Sequence, residues 1–250
     1  MSALRARCPD CRTLTAVAIG PDYQCHACGR EFAAGLVRVP RAWGDESGQL
    51  MREAAAMALP WPEAATIEED TLAAQIEATG RALPSRPLIL GGCCCSHVGA
   101  VRELARRHGR VAVVWLDAHG DLNTPESSPS GNEWGMPLRM LIDAGDVAAS
   151  DVTLLGARNL DPPEEVFIAE SGIAQQLGPL SEHVYVALDG DVIEPAEADV
   201  FMPEADGIRL PALEALLAQL PDPVGAGFTG FARSARNEAA LARLGHALGL

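Results

Sequence analysis

Two continuous apolar runs, each stopping abruptly on carboxylates, limit the folds open to this 250-residue chain. VAVVWL leads into Asp117-Ala118-His119-Gly120-Asp121, and VYVAL leads into Asp189-Gly190-Asp191. Runs this short, with no alternating polar face, read as strands buried on both sides, the pattern of a parallel sheet covered by helices. PLIL at 87–90, closing on Gly91-Gly92, VTLLG at 152–156 and VGAGFTG at 224–230 read the same way. Apolar spacing predicts helices at 68–82, 97–108, 136–144, 163–176, 211–219 and 235–248. The alternation predicts an α/β domain with a central parallel sheet. In that architecture ligands bind beyond the C-terminal ends of the strands, and the polar residues of this chain gather there.

Each cluster spaces its polar side chains two residues apart. Alternate residues of extended backbone point the same way, so Asp117, His119 and Asp121 converge if the chain stays extended, as do Asp189 and Asp191. Oxygen and nitrogen donors of this kind suit hard or borderline divalent cations such as Mn²⁺. Any one aspartate here has an ordinary alternative as a helix cap or turn residue. Two clusters at equivalent positions after apolar strands weaken that alternative, and a two-cation site is the expectation.

A second metal signature lies near the N-terminus. Cys8 and Cys11 form one Cys-x-x-Cys knuckle and Cys25 and Cys28 another, with thirteen residues between them. Each knuckle sets two thiolates on one tight turn, and two turns complete a tetrahedral sulfur site for zinc, with an iron site of the same shape as the alternative. A segment this small builds little core, so a bound ion supplies its folding energy. The domain reading is a zinc ribbon over 1–35, a connector with the first helices over 36–84, and a main domain over 85–250. The connector carries some helix and runs to the turn-rich Pro60-Trp61-Pro62. Cys93, Cys94 and Cys95 are consecutive, and neither cysteine group looks like a disulfide framework.

The chain has no lysine, which excludes a Schiff-base lysine and the lysine of a phosphate-binding P-loop. Its formal net charge is −15. Residues 1–41 hold six arginines against three acids, so they carry +3 and leave −18 to the rest. A body that acidic repels nucleic acid, which ranks DNA or RNA binding through the basic ribbon last among the readings. No stretch approaches the ~18 apolar residues of a membrane span. MSALRARCPDC lacks the apolar run of a secretory signal, so a cytoplasmic location is expected.

Several motifs together resemble the ureohydrolases, the arginase/agmatinase/formiminoglutamase family. DAHGDLNTPESSPSGN is similar to the family's central motif, ALDGDVIEP to its second metal motif, and LILGG to the strand before its first. GARNLDPPE is similar to the segment that reaches the amino-acid end of the substrate. The resemblance covers roughly residues 85–250. It implies a three-layer α/β fold, a binuclear manganese centre and a homo-oligomer, usually a trimer or hexamer. It also implies hydrolysis of a C–N bond in a small guanidine, amidine or amide by a metal-bridging hydroxide. By the same resemblance Asp117 and Asp189 bridge the metals, His119 and Asp191 complete one site, and Asp121 serves the other, with Asp121 and Asp189 as the catalytic pair. Asn123, Ser130, Asn132 and Asp161 match positions that bind the substrate's carboxylate and amino groups, with ordinary loop hydrogen bonds as their alternative.

Three positions depart from the family pattern. Gly-Gly-Asp-His-Ser becomes Gly91-Gly92-Cys93-Cys94-Cys95-Ser96-His97, so Cys94 stands in place of a histidine ligand. A thiolate there turns the site towards softer metals such as zinc or leaves it empty, and a small, buried, inert sulfur is the other reading. His97, one helical turn on, offers a substitute ligand if this stretch is helical. The family's Asn-x-His-Gly reads Asn132-Glu133-Trp134-Gly135, and a tryptophan cannot shuttle protons near neutral pH. Trp134 instead narrows the pocket or stacks on a flat substrate. GAGFTGF sets Gly230 where arginases carry the glutamate that pairs with a guanidinium, and a buried guanidinium without that carboxylate is poorly held. Two function readings therefore stand. One is a metal-dependent C–N hydrolase acting on a small molecule; the other is a catalytically impaired arginase-like scaffold that binds a protein partner through its ribbon.

Overall fold

The computed structural model describes residues 5, 6, 8, 11, 13, 15–19 and 22–250. In chain order the strands are β1 (Arg5–Ala6), β2 (Ala16–Ile19), β3 (Asp22–Cys25), β4 (Glu31–Val39), β5 (Glu63–Thr66), β6 (Arg86–Gly91), β7 (Ala112–Leu116), β8 (Val152–Leu155), β9 (Val184–Asp189) and β10 (Gly225–Thr229). The α-helices are α1 (Gln49–Ala54), α2 (Leu72–Ala82), α3 (Ser96–His108), α4 (Pro137–Asp143), α5 (Pro162–Ser171), α6 (Leu210–Leu217) and α7 (Ala235–Ala247). β5, β4, β6, β10, β9, β7 and β8 lie side by side in that order, every pair parallel. This is the parallel α/β sheet that the apolar runs predict.

Strands β6 to β10 are buried along their whole length, and the alternate residues of the sheet feed two separate cores. Leu88, Leu90, Val114, Leu116, Val186, Leu188 and Phe228 pack with Leu213 and Leu217 of α6 and Leu241 and Leu244 of α7. Ile89, Val113, Trp115 and Tyr185 point to the other face, against Val98, Val101 and Leu104 of α3 and Leu138 and Leu141 of α4. The result is three layers. Each such leucine or valine stabilises the fold by about 1.5–3 kcal/mol on burial. Helix ends follow local chemistry: Thr71 caps α2 by accepting from Ala74 N at 3.2 Å, which starts the helix four residues later than its apolar pattern suggests. α5 stops at Ser171 because Gly172 turns left-handed at φ 83°.

β4 joins the N-terminal hairpins to the sheet. Its first residues pair antiparallel with β3, and residues 34–39 pair parallel with β6. A boundary at residue 35 thus falls inside a strand, and the 36–84 segment supplies sheet as well as helix. β4 and β5 are missing from the sequence reading. β5 is an edge strand, EAAT, mostly exposed and without an apolar face, so pairing rather than propensity makes it a strand. No helix among the described residues is long and apolar enough to cross a membrane.

Candidate metal centre

Leu116 of β7 is in register with Leu188 of β9, so Asp117 and Asp189 leave the sheet side by side. The loops after the two strands are tied to each other by these carboxylates. Asp117 accepts from His119 N at 2.7 Å and from Trp115 Nε1 at 3.3 Å. Asp191 Oδ1 accepts from Ala118 N at 2.9 Å, and Asp189 Oδ1 from Asp191 N at 3.1 Å. His119 Nδ1 lies 2.9 Å from Asp191 Oδ2. The chain does not stay extended as far as Asp121, whose φ of 54° is left-handed, a conformation costing a non-glycine residue about 1–2 kcal/mol. That turn leaves Asp121 only 4% exposed, with Oδ2 lacking a hydrogen-bond partner among the described residues.

Two groups of ligand atoms result. Those of Cys94, Asp117 and Asp121 lie within 4.8 Å of one another, as do those of Asp117, His119 and Asp191. Asp117 belongs to both. Asp189 stands beside the first group, its Oδ2 accepting from Cys94 Sγ at 3.1 Å and from Thr229 Oγ1 at 3.1 Å. Burial and then the charge of Asp191 raise Asp189 to about 7, and burial and then Asp117 raise Asp191 to about 6. Burial, with Asp117 and Asp189 nearby, pushes Asp121 well above the carboxylate range. Burial opposes charge on His119, but hydrogen bonds and charges from Asp117 and Asp191 outweigh it and lift the ring to about 12. Four buried carboxylates in one place call for positive charge. The unpartnered Asp121 Oδ2 and the mixed oxygen, nitrogen and sulfur donors fit divalent cations.

His97 is helical, as the substitute-ligand reading requires, yet it belongs to neither group. Its Nδ1 lies 2.9 Å from Tyr185 Oη and its Nε2 3.2 Å from Thr229 Oγ1. Burial lowers it to about 3, so it stays neutral. Partners on two distant strands decide its orientation, and local spacing carries no trace of them.

A cavity of about 280 Å³ opens over the two groups, and Asn123, Ser130, Trp134 and Asp161 line it. Asn123 Nδ2 donates to Asp161 Oδ2 at 2.8 Å. Asn132 is not in the lining. Its Nδ2 donates to Asp45 Oδ2 at 3.0 Å while its Oδ1 accepts from Asp45 N at 2.9 Å. Sequence reasoning misses Glu164, which is buried in the cavity wall and accepts from Leu122 N and Asp161 N, each at 2.9 Å. Its signal is the capping-box spacing of Asp161-Pro162-Pro163-Glu164. Trp134 stands edge-on to Phe201 at 5.5 Å. Gly44 makes room for it, since a Cβ there would come within 2.2 Å of the indole. Gly230 also lines the cavity, with φ 73° and its Cβ direction aimed at the Asp189 carboxylate.

At the ribbon, the sulfurs of Cys8, Cys11, Cys25 and Cys28 lie within 4.8 Å of one another, with Cys8–Cys28 and Cys11–Cys25 both at 3.5 Å. That spacing fits a tetrahedral thiolate site. Pro9, Asp10 and Arg12 of the first knuckle lie outside the described residues.

Carboxylates, an imidazole and a thiol gathered at the C-terminal ends of a parallel sheet define an α/β protein with a candidate metal centre. A model of the arginase family matches residues 57–231, and the chain belongs to that family. Arginase of Staphylococcus aureus (strain COL) is 41% identical over 97 residues, covering 35% of this chain and 32% of that protein. Arginase of Bacillus caldovelox is 34% identical over 144 residues, covering 45% and 48%. The chain thus spans about a third to a half of the length of these curated relatives. The crystal structure of arginase from Bacillus subtilis subsp. subtilis str. 168 matches with a TM-score of 0.74 at 24% identity, over 86% of this chain and 97% of that one. That likeness shows the shared fold.

Proposed function

We propose that the chain is a metal-dependent hydrolase of a C–N bond in a small guanidino, amidino or amide compound. Asp117, His119, Asp121, Asp189, Asp191 and Cys94 would hold its cations. The observation that carries this reading is the pair of ligand groups sharing Asp117 at the bottom of one cavity, with a buried, unpartnered carboxylate oxygen between cavity and protein. Manganese suits the nitrogen and oxygen donors of the second group, and zinc suits the four thiols of the ribbon. When bound, paired divalent cations supply Lewis acidity towards water and substrate.

The chain's own residues supply the rest. Asp121 would hold a cation through one carboxylate oxygen and accept a hydrogen bond from water through the other. Asn123 and Asp161, joined to each other, present a polar edge for the amino end of a substrate, and Ser130 lines the same cavity. Trp134, Phe201 and Met51 form an apolar wall that excludes water and offers a flat face. Position 230 adds no carboxylate, so the reacting end of the substrate is smaller or less basic than the guanidinium of arginine. A homo-oligomer belongs to the same reading. The test is a panel of guanidino, amidino and amide compounds assayed for ammonia or urea release. Turnover of at least one, falling by about 100-fold or more in Asp189→Asn, is the expected result. Full turnover in that variant would remove this centre as the catalyst.

A further inference from the structure

Cys94 is the cysteine of the consecutive three whose sulfur meets carboxylates. Cys93 Sγ accepts from Trp43 N at 3.4 Å and Cys95 Sγ donates to Glu133 O at 3.3 Å, both packed near Trp43 and Met51. Cys94 Sγ, by contrast, lies 3.1 Å from Asp189 Oδ2, 3.0 Å from Thr229 Oγ1 and 3.7 Å from Asp117 Oδ2. Cys94 packs against the apolar cluster of Val98 and Trp115, while its sulfur faces two carboxylates and a hydroxyl. Asp121 Oδ2, 4% exposed and unpartnered, completes the group from the opposite loop. The nitrogen donor nearest in sequence, His97, is already held by Tyr185 and Thr229, so no imidazole competes with sulfur here.

We propose that Cys94, Asp117 and Asp121 form a sulfur-containing cation site selective for a thiophilic divalent ion of the zinc class, distinct from the nitrogen and oxygen site of Asp117, His119 and Asp191. The inference rests on the metal-centre reading and deepens it: the two cation positions of the cleft are chemically unequal. The spacing agrees. Bonds of about 2.3 Å to sulfur and about 2.1 Å to oxygen at a tetrahedral angle put the two donors about 3.6 Å apart, and Cys94 Sγ to Asp117 Oδ2 measures 3.7 Å. On binding, the S–H bond is exchanged for a sulfur–metal bond and the proton passes to bulk buffer. A sulfur donor favours zinc or cobalt over manganese, which binds oxygen and nitrogen.

Most sites of any composition bind zinc above manganese, so the test reads how selectivity changes when sulfur is replaced. Full-length metal-free protein is equilibrated with zinc and excess manganese, and bound metals per chain are counted for wild type, Cys94→Ser and Cys94→His. The expected result is a wild-type cleft holding one zinc beyond that of the ribbon. Its zinc-over-manganese preference falls by about tenfold or more in either variant. Cobalt gives a second readout. The sulfur-to-cobalt charge-transfer band of wild type, from four ribbon thiolates and one cleft thiolate, drops by about a fifth in Cys94→Ser. Should both variants fail to fold, the wild-type count still decides, because manganese in both cleft positions beside available zinc overturns the proposal. An unchanged preference and cobalt band in the variants overturn it equally, leaving the hydrolase reading intact. A cleft that retains no ion in wild type overturns the proposal together with the metal-centre reading.

Discussion

Gly230 stands where the resemblance to arginases implies an acid, and the structure leaves no space for a side chain there. At φ 73° an alanine sits in the left-handed region, costing about 1–2 kcal/mol. The backbone cannot rotate away freely, because Gly230 N donates to Gly92 O at 3.1 Å and Gly230 O accepts from Phe201 N at 2.9 Å. A Cβ at this position falls 1.9 Å from Asp189 Oδ1 and 2.3 Å from Oδ2, against an ordinary contact of 3.4 Å or more. The Asp189 carboxylate would therefore retreat by roughly 1.5 Å, beyond the roughly 0.5 Å that a preorganised ligand tolerates. Gly230→Ala is expected to lower the melting temperature by about 2–8 °C and to weaken cleft metal binding while the ribbon keeps its ion. Gly230→Glu, which introduces the acid that the resemblance implies at this position, is expected to do the same rather than create arginine hydrolysis. The assay is metal content per chain with calorimetric unfolding. A Gly230→Ala protein with unchanged metal content, melting within about 1 °C of wild type, would refute the reasoning.

Three further predictions follow from the same geometry. Asp191 belongs to one ligand group only, so Asp191→Asn is expected to lose one cleft ion and keep the other, as counted by mass spectrometry. Asp189 and Asp191 sit at about 7 and about 6 when folded, above the roughly 3.9 of an unfolded aspartate. The metal-free folded chain thus holds protons that the unfolded chain has released, and this stability is full below about pH 4 and lost as pH rises through 6 and 7. Chelated wild type should therefore lose more stability than chelated Asp189→Asn between about pH 5 and about pH 8, and parallel melting profiles would contradict this. Glu164→Ala leaves the buried N–H of Leu122 without its acceptor and breaks the Asp161 capping box. About 1–3 kcal/mol of stability should go with it, read as a lower melting temperature.

The parallel sheet is readable because its strands are continuous apolar runs punctuated by glycine and acid, as in VAVVWL before Asp117. β4 escapes that reading because Gly35 and Arg38 interrupt its pattern, and pairing with β3, β5 and β6 makes it a strand. The convergence of Asp117, His119 and Asp191 follows from spacing after two strands, since registration of Leu116 with Leu188 does the rest. Asp121 reaches the same place by a left-handed turn rather than by extension. Asn132 and His97 could not be placed from the sequence, because their partners, Asp45 for one and Tyr185 and Thr229 for the other, lie far along the chain. Contacts of that range are set by packing, which a local pattern does not encode.

Asp117 is the residue shared by both ligand groups of the cleft. Protein expressed with manganese and zinc, as wild type and as Asp117→Asn, should be analysed for bound metals per chain. Wild type is predicted to carry three ions, one for each group of candidate ligands, and the variant only the one at the ribbon cysteines. A single ion in both proteins would contradict the account.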